Sequence, residues 1–185
     1  MAMGFAAFAV PDAHIDLLVS RPGWVHDYLE GNRPDAGDAT LPADWPAQAP
    51  QSLGGWGINH RNVDLYHWIL NGGPALATGA GSLFQTWYEP DRHAALKLDR
   101  HNERFAFRSG QLPELLALSE AVTVDSTLAA FTDWCKQRGE RHDDLDHYAC
   151  QPFVDEFAQF ARGLRAAIER GDGIICLLGA GNRDP

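Results

Sequence analysis

The sequence predicts an α+β fold, with a single domain over residues 1–185 in which several helices pack on a small mixed or antiparallel sheet. The first observation is a helical pattern over residues 152–171 that leads into an all-apolar strand over 174–178. The second is a group of short alternating segments between 82 and 109, a pattern typical of strands. The third is composition, because a chain of 185 residues of which 45% are hydrophobic can bury one sizeable core.

The C-terminal helix and strand are the clearest elements. Pro152 suits the first position of the helix, where its missing N–H needs no partner, and Gly171 suits the left-handed position after the last turn. The strand that follows has no polar residue, which indicates that both of its faces are covered, by helices, a loop or a partner. Seven apolar residues at steps of three and four form one stripe of this helix: Phe153, Val154, Phe157, Phe160, Ala161, Leu164 and Ile168.

The N-terminal part of the chain predicts a strand, helices and a long loop. Residues 5–10 form an apolar strand, Pro11 and Asp12 begin a helix, and further helical turns are expected at 24–29. Residues 31–57 are rich in Pro and Gly and predict a long loop, which Trp45 and Trp56 would hold in place.

The middle of the chain predicts three helices and a hairpin. Helices are expected at 62–71, at 113–121 and at 126–138, the last one capped by Asp125. Residues 82–109 favour strands, with a hairpin whose loop is 100–103. A helix over 91–103 is the alternative for this segment.

The charge and cysteine content limit the kinds of function. A formal net charge of −10 argues against binding to nucleic acids or anionic membranes and is compatible with a basic protein partner. No apolar run is long enough to span a membrane, and the first residues lack the basic region of a secretory signal. Three cysteines without CxxC spacing favour reduced thiols and a cytoplasmic location. The glycines at 72–73 and 79–81 lack the Lys-Ser/Thr of a phosphate-binding loop, so we expect no cofactor.

His67 is the first candidate for chemistry. It lies beside Tyr66 and three residues after Asp64, whose carboxylate could hold the imidazole ring. A small-molecule hydrolase could combine these groups with Cys150, which we expect to be exposed just before the predicted start of the last helix. The alternative is a buried histidine satisfied by a backbone carbonyl or by Asp64, and we favour it because no second acid–base partner is tied to His67 by spacing.

Residues 140–147 form the densest group of potential metal ligands. A metal site would need three or four ligands that converge, whereas this segment follows Gly139 and has the composition of a solvated loop, so we expect no metal. The weak metal candidates are His142, Asp146 and His147. We expect that Asp143, Asp144 and Asp146 instead form an acidic surface, either unoccupied or in contact with a basic partner.

Two segments resemble the YfbM-like bacterial proteins, a family of unknown function. Residues 157–179 resemble the family's last helix and strand, and residues 64–72 resemble its central helix. The family pattern in the central helix is a Lys and a Trp, then a His followed by an aromatic residue, two aliphatic residues and Thr-Gly. His67, Trp68 and Gly72 match this pattern, Arg61 stands for the Lys, and Val63 replaces the Trp.

The opening Met3-Gly4 is similar to the family's Met-Gly-Met start. The resemblance covers about a quarter to a third of the chain. It implies a small bacterial α+β domain, and it implies no established activity.

Two functional hypotheses follow. The first is a non-catalytic binding or inhibitory protein, such as an immunity protein that neutralises a toxin through the acidic residues, with Trp45 and Trp56 as aromatic anchors. The second is the small-molecule hydrolase with a pocket around His67. We favour the first because the sequence contains no catalytic constellation. The sequence does not define an oligomeric state.

Overall fold

The computed structural model describes residues 2–34, 41–89, 91–99, 101, 103–143 and 145–180. In these ranges, five strands form one antiparallel sheet in the order β2-β1-β5-β4-β3. The strands are β1 (Ala2–Pro11), β2 (Ser52–Asn59), β3 (Leu96–Lys97), β4 (Arg104–Phe107) and β5 (Asp172–Ala180). The helices are α1 (Asp12–Ser20), α2 (Val25–Glu30), α3 (Val63–Asn71), α4 (Gln85–Tyr88), α5 (Leu112–Glu120), α6 (Val124–Arg138) and α7 (His147–Arg170). The predicted single-domain α+β class is confirmed, and the sheet is antiparallel.

The sheet is built around β1 and β5, which pair along their whole length from Met3 opposite Ala180 to Pro11 opposite Asp172. Because side chains alternate across a strand, β5 contributes to two cores. Cys176 and Leu178 belong to a large apolar cluster with α3, α5, α6 and α7, whereas Ile175 belongs to a second cluster with α1 and α2. The prediction that this apolar strand is covered on both faces is therefore confirmed.

Helix α7 packs on the large-cluster face and contacts β2, β5, α5 and α6. Its close approach to β2 depends on Gly163, where a Cβ atom would lie 2.5 Å from the carbonyl oxygen of Leu53. The helix ends at Gly171 with φ of +73°, as predicted, but its predicted start is wrong. It begins at His147, because the side chain of Asp146 caps it by accepting from the N–H of Ala149 at 2.9 Å. Pro152 therefore lies inside the helix.

Two predictions in the middle of the chain are also wrong. Asp125 does not cap α6, since the helix begins at Val124, two residues earlier than predicted, and Thr123 and Ser126 cap it reciprocally. Residues 82–88 are helical and not extended, in a 3₁₀ turn over Ala80–Phe84 and in α4. Buried Gln85 explains this turn, because its side chain hydrogen-bonds the backbone N–H and C=O of Ala77 and so closes the chain on itself.

The hairpin is confirmed, and the competing helix over 91–103 is wrong. Strand β3 pairs with β4, with Leu96 opposite Ala106 and Lys97 opposite Phe105. In its turn, the Asp99 carboxylate accepts from the backbone N–H groups of His101 and Glu103. Two predicted turn residues, 100 and 102, lie outside the described residues.

The predicted loop over 31–57 is only partly a loop. Its last six residues belong to β2. This strand contains three glycines, a residue type that in a sequence usually indicates a turn or loop. Trp45 holds the segment 41–50 against α2 as predicted, since its Nε1 donates to the carbonyl of Asn32 at 2.9 Å and its ring contacts Trp24 and Tyr28 edge-on. Residues 35–40 of this loop lie outside the described residues.

Candidate functional site

A groove between α3 and α6 is a concave feature formed by the described residues. It consists of two adjoining hollows of about 540 and 330 Å³ that share Trp68, Pro74 and Gln137. Trp68 forms the floor, since only 7% of its surface is exposed. The small residues Gly72, Gly73, Ala129 and Ala130 line the larger hollow, together with Ser126 and Asp133. The sequence had identified residues 71–74 only as the end of a helix, and no signal in it indicated the groove.

Hydrogen bonds from three polar side chains, of which His67 is buried, hold the segment 72–81 that forms one wall of this groove. Nε2 of His67 lies 3.0 Å from the carbonyl oxygen of Ala75, and the side-chain amide of Asn71 donates to the carbonyl of Gly81 at 2.9 Å. The Glu114 carboxylate accepts from the N–H of Ala80 at 2.9 Å. The wall is therefore held in place from three sides, which makes the groove a preformed feature of the fold.

The smaller hollow contains an ion pair. Nη2 of Arg138 lies 2.7 Å from Oδ2 of Asp64, and the guanidinium stacks over the ring of Trp134 at 4.2 Å from the ring centroid. The hydroxyl of Tyr88 is buried at this end and has no hydrogen-bond partner among the described residues. Burial, and after it the nearby Asp64 carboxylate, raises the pKa of this hydroxyl. Trp87 borders the hollow and is 36% exposed.

His67 is enclosed by the protein and has no exposed surface. Its Nε2–H donates to Ala75, and Nδ1 faces the Asn71 amide at 3.2 Å. Burial lowers the pKa of His67, against opposing effects of the Ala75 carbonyl and the Asp64 carboxylate. The favoured alternative, a buried histidine held by a backbone carbonyl, describes this geometry.

The other residues proposed for a hydrolase do not converge on His67. Asp64 pairs with Arg138, and the Tyr66 hydroxyl donates to the Glu156 carboxylate at 3.0 Å. The prediction that Cys150 is exposed is wrong, because the residue lies within α7 and has no exposed surface. Burial, reinforced by the Asp146 carboxylate, raises the pKa of its thiol, which disfavours the nucleophilic thiolate.

The two proposed aromatic anchors face inward. Trp45 is 7% exposed and belongs to the second cluster. Trp56 is half-buried against the large cluster and contacts Phe5, Tyr66 and Phe160. Each of the two tryptophans packs its ring into a core, so neither one stands out from the surface as the predicted aromatic anchors would.

The acidic residues near the start of α7 lie at the surface, beside an aromatic side chain that sequence reasoning missed. Tyr148 is 88% exposed, more than any other large hydrophobic side chain in the described ranges. We define the acidic surface as Asp125, Asp143, Asp146 and Tyr148. Asp125 belongs to it because it lies 3.3 Å from His147 at the start of α7. Asp144 lies outside the described residues.

A signal for Tyr148 is present in the sequence. The residue falls off the apolar stripe of α7, and an aromatic residue on the polar face of an amphipathic helix must be exposed. A helix that begins only at Pro152 would leave Tyr148 outside it, and the predicted start therefore hides this signal.

The weak metal candidates are divided among separate contacts. His142 lies 3.7 Å from Asp143, His147 pairs with Asp125, and Asp146 caps α7. Within the part of the chain that the structure describes, no three His, Cys, Asp or Glu side chains are grouped as a metal site would require.

Of the helices within the described ranges, no single one is long and apolar enough to cross a membrane. The segment 109–120 and α6, which meet at 88°, satisfy this criterion only as a bent pair, by length and composition. Their apolar residues Leu112, Leu115 and Trp134 belong to the large cluster.

The architecture defines the class of the molecule: an α+β protein whose described residues form an open antiparallel sheet of five strands with helices on both faces. It is similar to a solved structure described as the crystal structure of a protein of unknown function, YfbM, from Escherichia coli. The TM-score is 0.52 with 13% sequence identity, over 96% of this chain and 99% of the other. The resemblance predicted from the sequence is thus confirmed at the level of the fold. No protein-family model and no curated protein matches the chain.

Proposed function

We propose that this protein is a non-catalytic binding protein that recognises a basic protein partner through its acidic surface. Tyr148 carries the proposal, because a tyrosine that is 88% exposed on a helix leaves an apolar ring in water with little compensation. Tyrosine is enriched among the residues that dominate binding energy in protein interfaces. Its neighbour in the chain, His147, lies 3.3 Å from Asp125, so a carboxylate belongs to the same part of the surface.

The charges around Tyr148 define the chemistry of the partner. The side chains of Asp125 and Asp143 are 90% and 70% exposed. Their present partners are His147 for Asp125, and Arg141 at 4.0 Å and His142 at 3.7 Å for Asp143, so a basic partner would compete with these contacts. Rim charges of this kind mainly increase the association rate and contribute specificity, while the buried aromatic ring slows dissociation. Binding should therefore weaken as the ionic strength rises. The same charges disfavour nucleic acids and anionic membranes.

An immunity protein is the concrete form of this proposal, since such a protein blocks a toxin by surface complementarity and needs no catalytic group. The three buried, reduced cysteines are compatible with action in the cytoplasm. The protein encoded by the neighbouring gene is the first partner to test.

The geometry favours binding over the hydrolase alternative. A hydrolase needs its nucleophile and base within reach of each other and of substrate. Here neither His67 nor Cys150 has any exposed surface. The third candidate, Asp64, lines the groove, but its carboxylate is paired with Arg138 and forms no hydrogen bond with His67.

The experiment is an affinity measurement with the captured or neighbouring-gene partner. Tyr148→Ala should weaken binding by about 30-fold or more, as expected for an interface residue worth about 2 kcal/mol. The double variant Asp125→Asn/Asp143→Asn should slow association and reduce the dependence on salt. Val19→Ala, which truncates an exposed apolar side chain on α1, is the matched control and should bind like the wild type.

Unchanged affinity of both the Tyr148 and the aspartate variants would remove the acidic surface from the interaction. Trp87→Ala then distinguishes the next possibility, because a loss of binding in that variant alone would assign the contact to the groove between α3 and α6.

A further inference from the structure

The groove between α3 and α6 has the size of a small-molecule site. Its two hollows of about 540 and 330 Å³ fall within the range of about 300–1,000 Å³ that is typical of ligand pockets. Two glycines keep the larger hollow open, since a Cβ atom at Gly72 or Gly73 would meet nothing within 4 Å. Because three side chains hold the wall 72–81 in place, the space exists before any ligand enters it.

Aromatic side chains line this groove. Trp68 forms the floor that both hollows share, and Trp87 and Tyr88 line the smaller one. Trp87 is 36% exposed, so its indole ring is available to a ligand. Aromatic rings pair favourably with one another, either offset and stacked or edge to face. The lining therefore favours a planar aromatic ligand over an aliphatic one.

The charges of the lining leave one cation over. In the smaller hollow, Asp64 pairs with Arg138 at 2.7 Å. In the larger hollow, Asp133 pairs with Lys136 at 3.4 Å. Arg61 lines the smaller hollow and has no ion-pair partner among the described residues. An arginine in this position favours an anionic group on the ligand, because its planar guanidinium forms charge-assisted hydrogen bonds with carboxylate or phosphate.

We propose that the groove binds a small, planar aromatic molecule that carries one anionic group. The aromatic ring packs on Trp68 and Trp87, and the anionic group accepts hydrogen bonds from the guanidinium of Arg61. A single negative charge is expected, because Asp64 already occupies Arg138. The site uses different side chains from the acidic surface, so the inference goes beyond the proposed function and stands or falls independently of it.

Three probes separate the two features of this ligand. Naphthaleneacetate is an aromatic anion, naphthaleneacetamide is its neutral counterpart, and decahydronaphthaleneacetate is an anion of similar size without an aromatic ring. Each is titrated into the isotope-labelled full chain while the chemical shifts of the backbone amides are recorded.

Naphthaleneacetate should bind the wild type with a dissociation constant of about 1 mM or lower, as expected for a ligand of its size. It should shift the amide signals of Gly72 and Gly73. The neutral amide should bind about tenfold more weakly, because it lacks the charge-assisted hydrogen bond. The hydrogenated anion should bind about threefold more weakly or less, because it lacks the pairing of aromatic rings.

Two pairs of variants locate the site. Arg61→Gln should bring the affinity for naphthaleneacetate to within about twofold of that for its amide. Arg162→Gln is the matched control, since Arg162 is exposed on α7 and also has no ion-pair partner among the described residues. Ala129→Phe should fill the larger hollow and abolish the shifts from both aromatic probes. Ala13→Phe, the same change at an exposed position of α1 on the other face of the sheet, should bind like the wild type.

The spectra also report folding, since each variant should keep the dispersed signals of the wild type outside its own surroundings. Absence of saturable binding by naphthaleneacetate would overturn the proposal. Equal affinity of the wild type for the anion and its amide would do the same, as would shifts that persist in Ala129→Phe or an equal loss of affinity in Arg61→Gln and Arg162→Gln.

Discussion

The side chain of Asp146 has two roles, as a helix cap and as a surface charge, and replacement by alanine would remove both at once. Its carboxylate caps α7 by accepting from the N–H of Ala149, and it also contributes charge to the acidic surface. Asparagine is as good a cap as aspartate but carries no charge.

We predict that Asp146→Ala lowers the free energy of unfolding by about 0.5–2 kcal/mol, whereas Asp146→Asn changes it little. Urea denaturation of the two variants measures this difference. In a binding assay, Asp146→Asn alone reports the contribution of the charge. Equal destabilisation by both substitutions would show that the carboxylate acts on α7 by charge and not as a cap.

Glu156 should make stability depend on pH. Burial raises the pKa of its carboxyl above the ordinary value, although the hydrogen bond from Tyr66 acts in the opposite direction. The folded protein therefore holds this proton to a higher pH than the unfolded chain does. The corresponding stability is complete below the unfolded-state pKa of about 4.5 and is lost as the pH rises through the folded-state value.

Glu156→Gln removes this titration and keeps an acceptor for Tyr66. We predict that the variant is more stable than the wild type at neutral pH, and that the difference disappears as the pH falls below about 4.5. Denaturation midpoints across this pH range provide the measurement. Tyr66→Phe should steepen the loss of stability with pH, because it removes the hydrogen bond that favours the carboxylate. A constant difference between Glu156→Gln and the wild type would contradict the prediction.

Residue environments were less predictable than elements. The sequence predicts Trp56 at the surface because nearby Gly and Pro residues indicate a loop. It predicts Cys150 at the surface because Pro152 indicates the start of a helix just after it. In the fold, tertiary contacts override these local signals: Trp56 packs on Phe5 and Phe160, and Cys150 lies within the capped helix. His67 was interpreted correctly because its surroundings depend on its own helix and the segment that follows it.

At the scale of elements, α7 contains a proline where most helices do not tolerate one. Pro152 is the sixth residue of the helix, so it removes a backbone hydrogen bond to the preceding turn. Pro113, by contrast, is the second residue of α5, where the missing N–H has no helical partner. The two prolines form a matched pair for testing helix geometry.

We predict that Pro152→Ala raises the free energy of unfolding by about 1–3 kcal/mol, because it restores a hydrogen bond and removes the clash of the ring with the preceding turn. Pro113→Ala should leave stability unchanged or lower it by up to about 1 kcal/mol, since it only increases the freedom of the unfolded chain. Guanidinium denaturation of both variants provides the comparison. Loss of stability in Pro152→Ala would mean that the proline fits a bend on which the buried position of Cys150 depends.

Helices and strands with strong periodicity were predictable in type, and their boundaries were not. The apolar stripe of α7 and the alternation in the hairpin determine these elements locally. Strand β2 was missed because its alternation runs through Gly55 and Gly57, which carry no side chain to reveal a period of two. Its identity as a strand comes from pairing with β1, a long-range contact that the local pattern of 52–59 does not contain.

At the scale of the molecule, β5 connects two cores that lie on opposite faces of the sheet. Leu178 points to the large cluster, and Ile175 points to the second cluster with Ile15 and Leu18 of α1. Because both side chains extend from one central strand, disruption of either cluster should loosen the strand that holds the other. The protein should therefore unfold in one cooperative transition.

We predict that Ile175→Ala and Leu178→Ala each lower the free energy of unfolding by about 2–5 kcal/mol, as expected for fully buried side chains. Each variant should lower the stability of the slowest-exchanging amides in α1 and in α7 by the same amount, although these helices lie on opposite faces. Native-state hydrogen exchange measures both helices in one experiment, and far- and near-ultraviolet circular dichroism should give coincident melting curves. If Ile175→Ala destabilised α1 alone, the second cluster would be an independently unfolding layer, and the sheet would not couple the two faces.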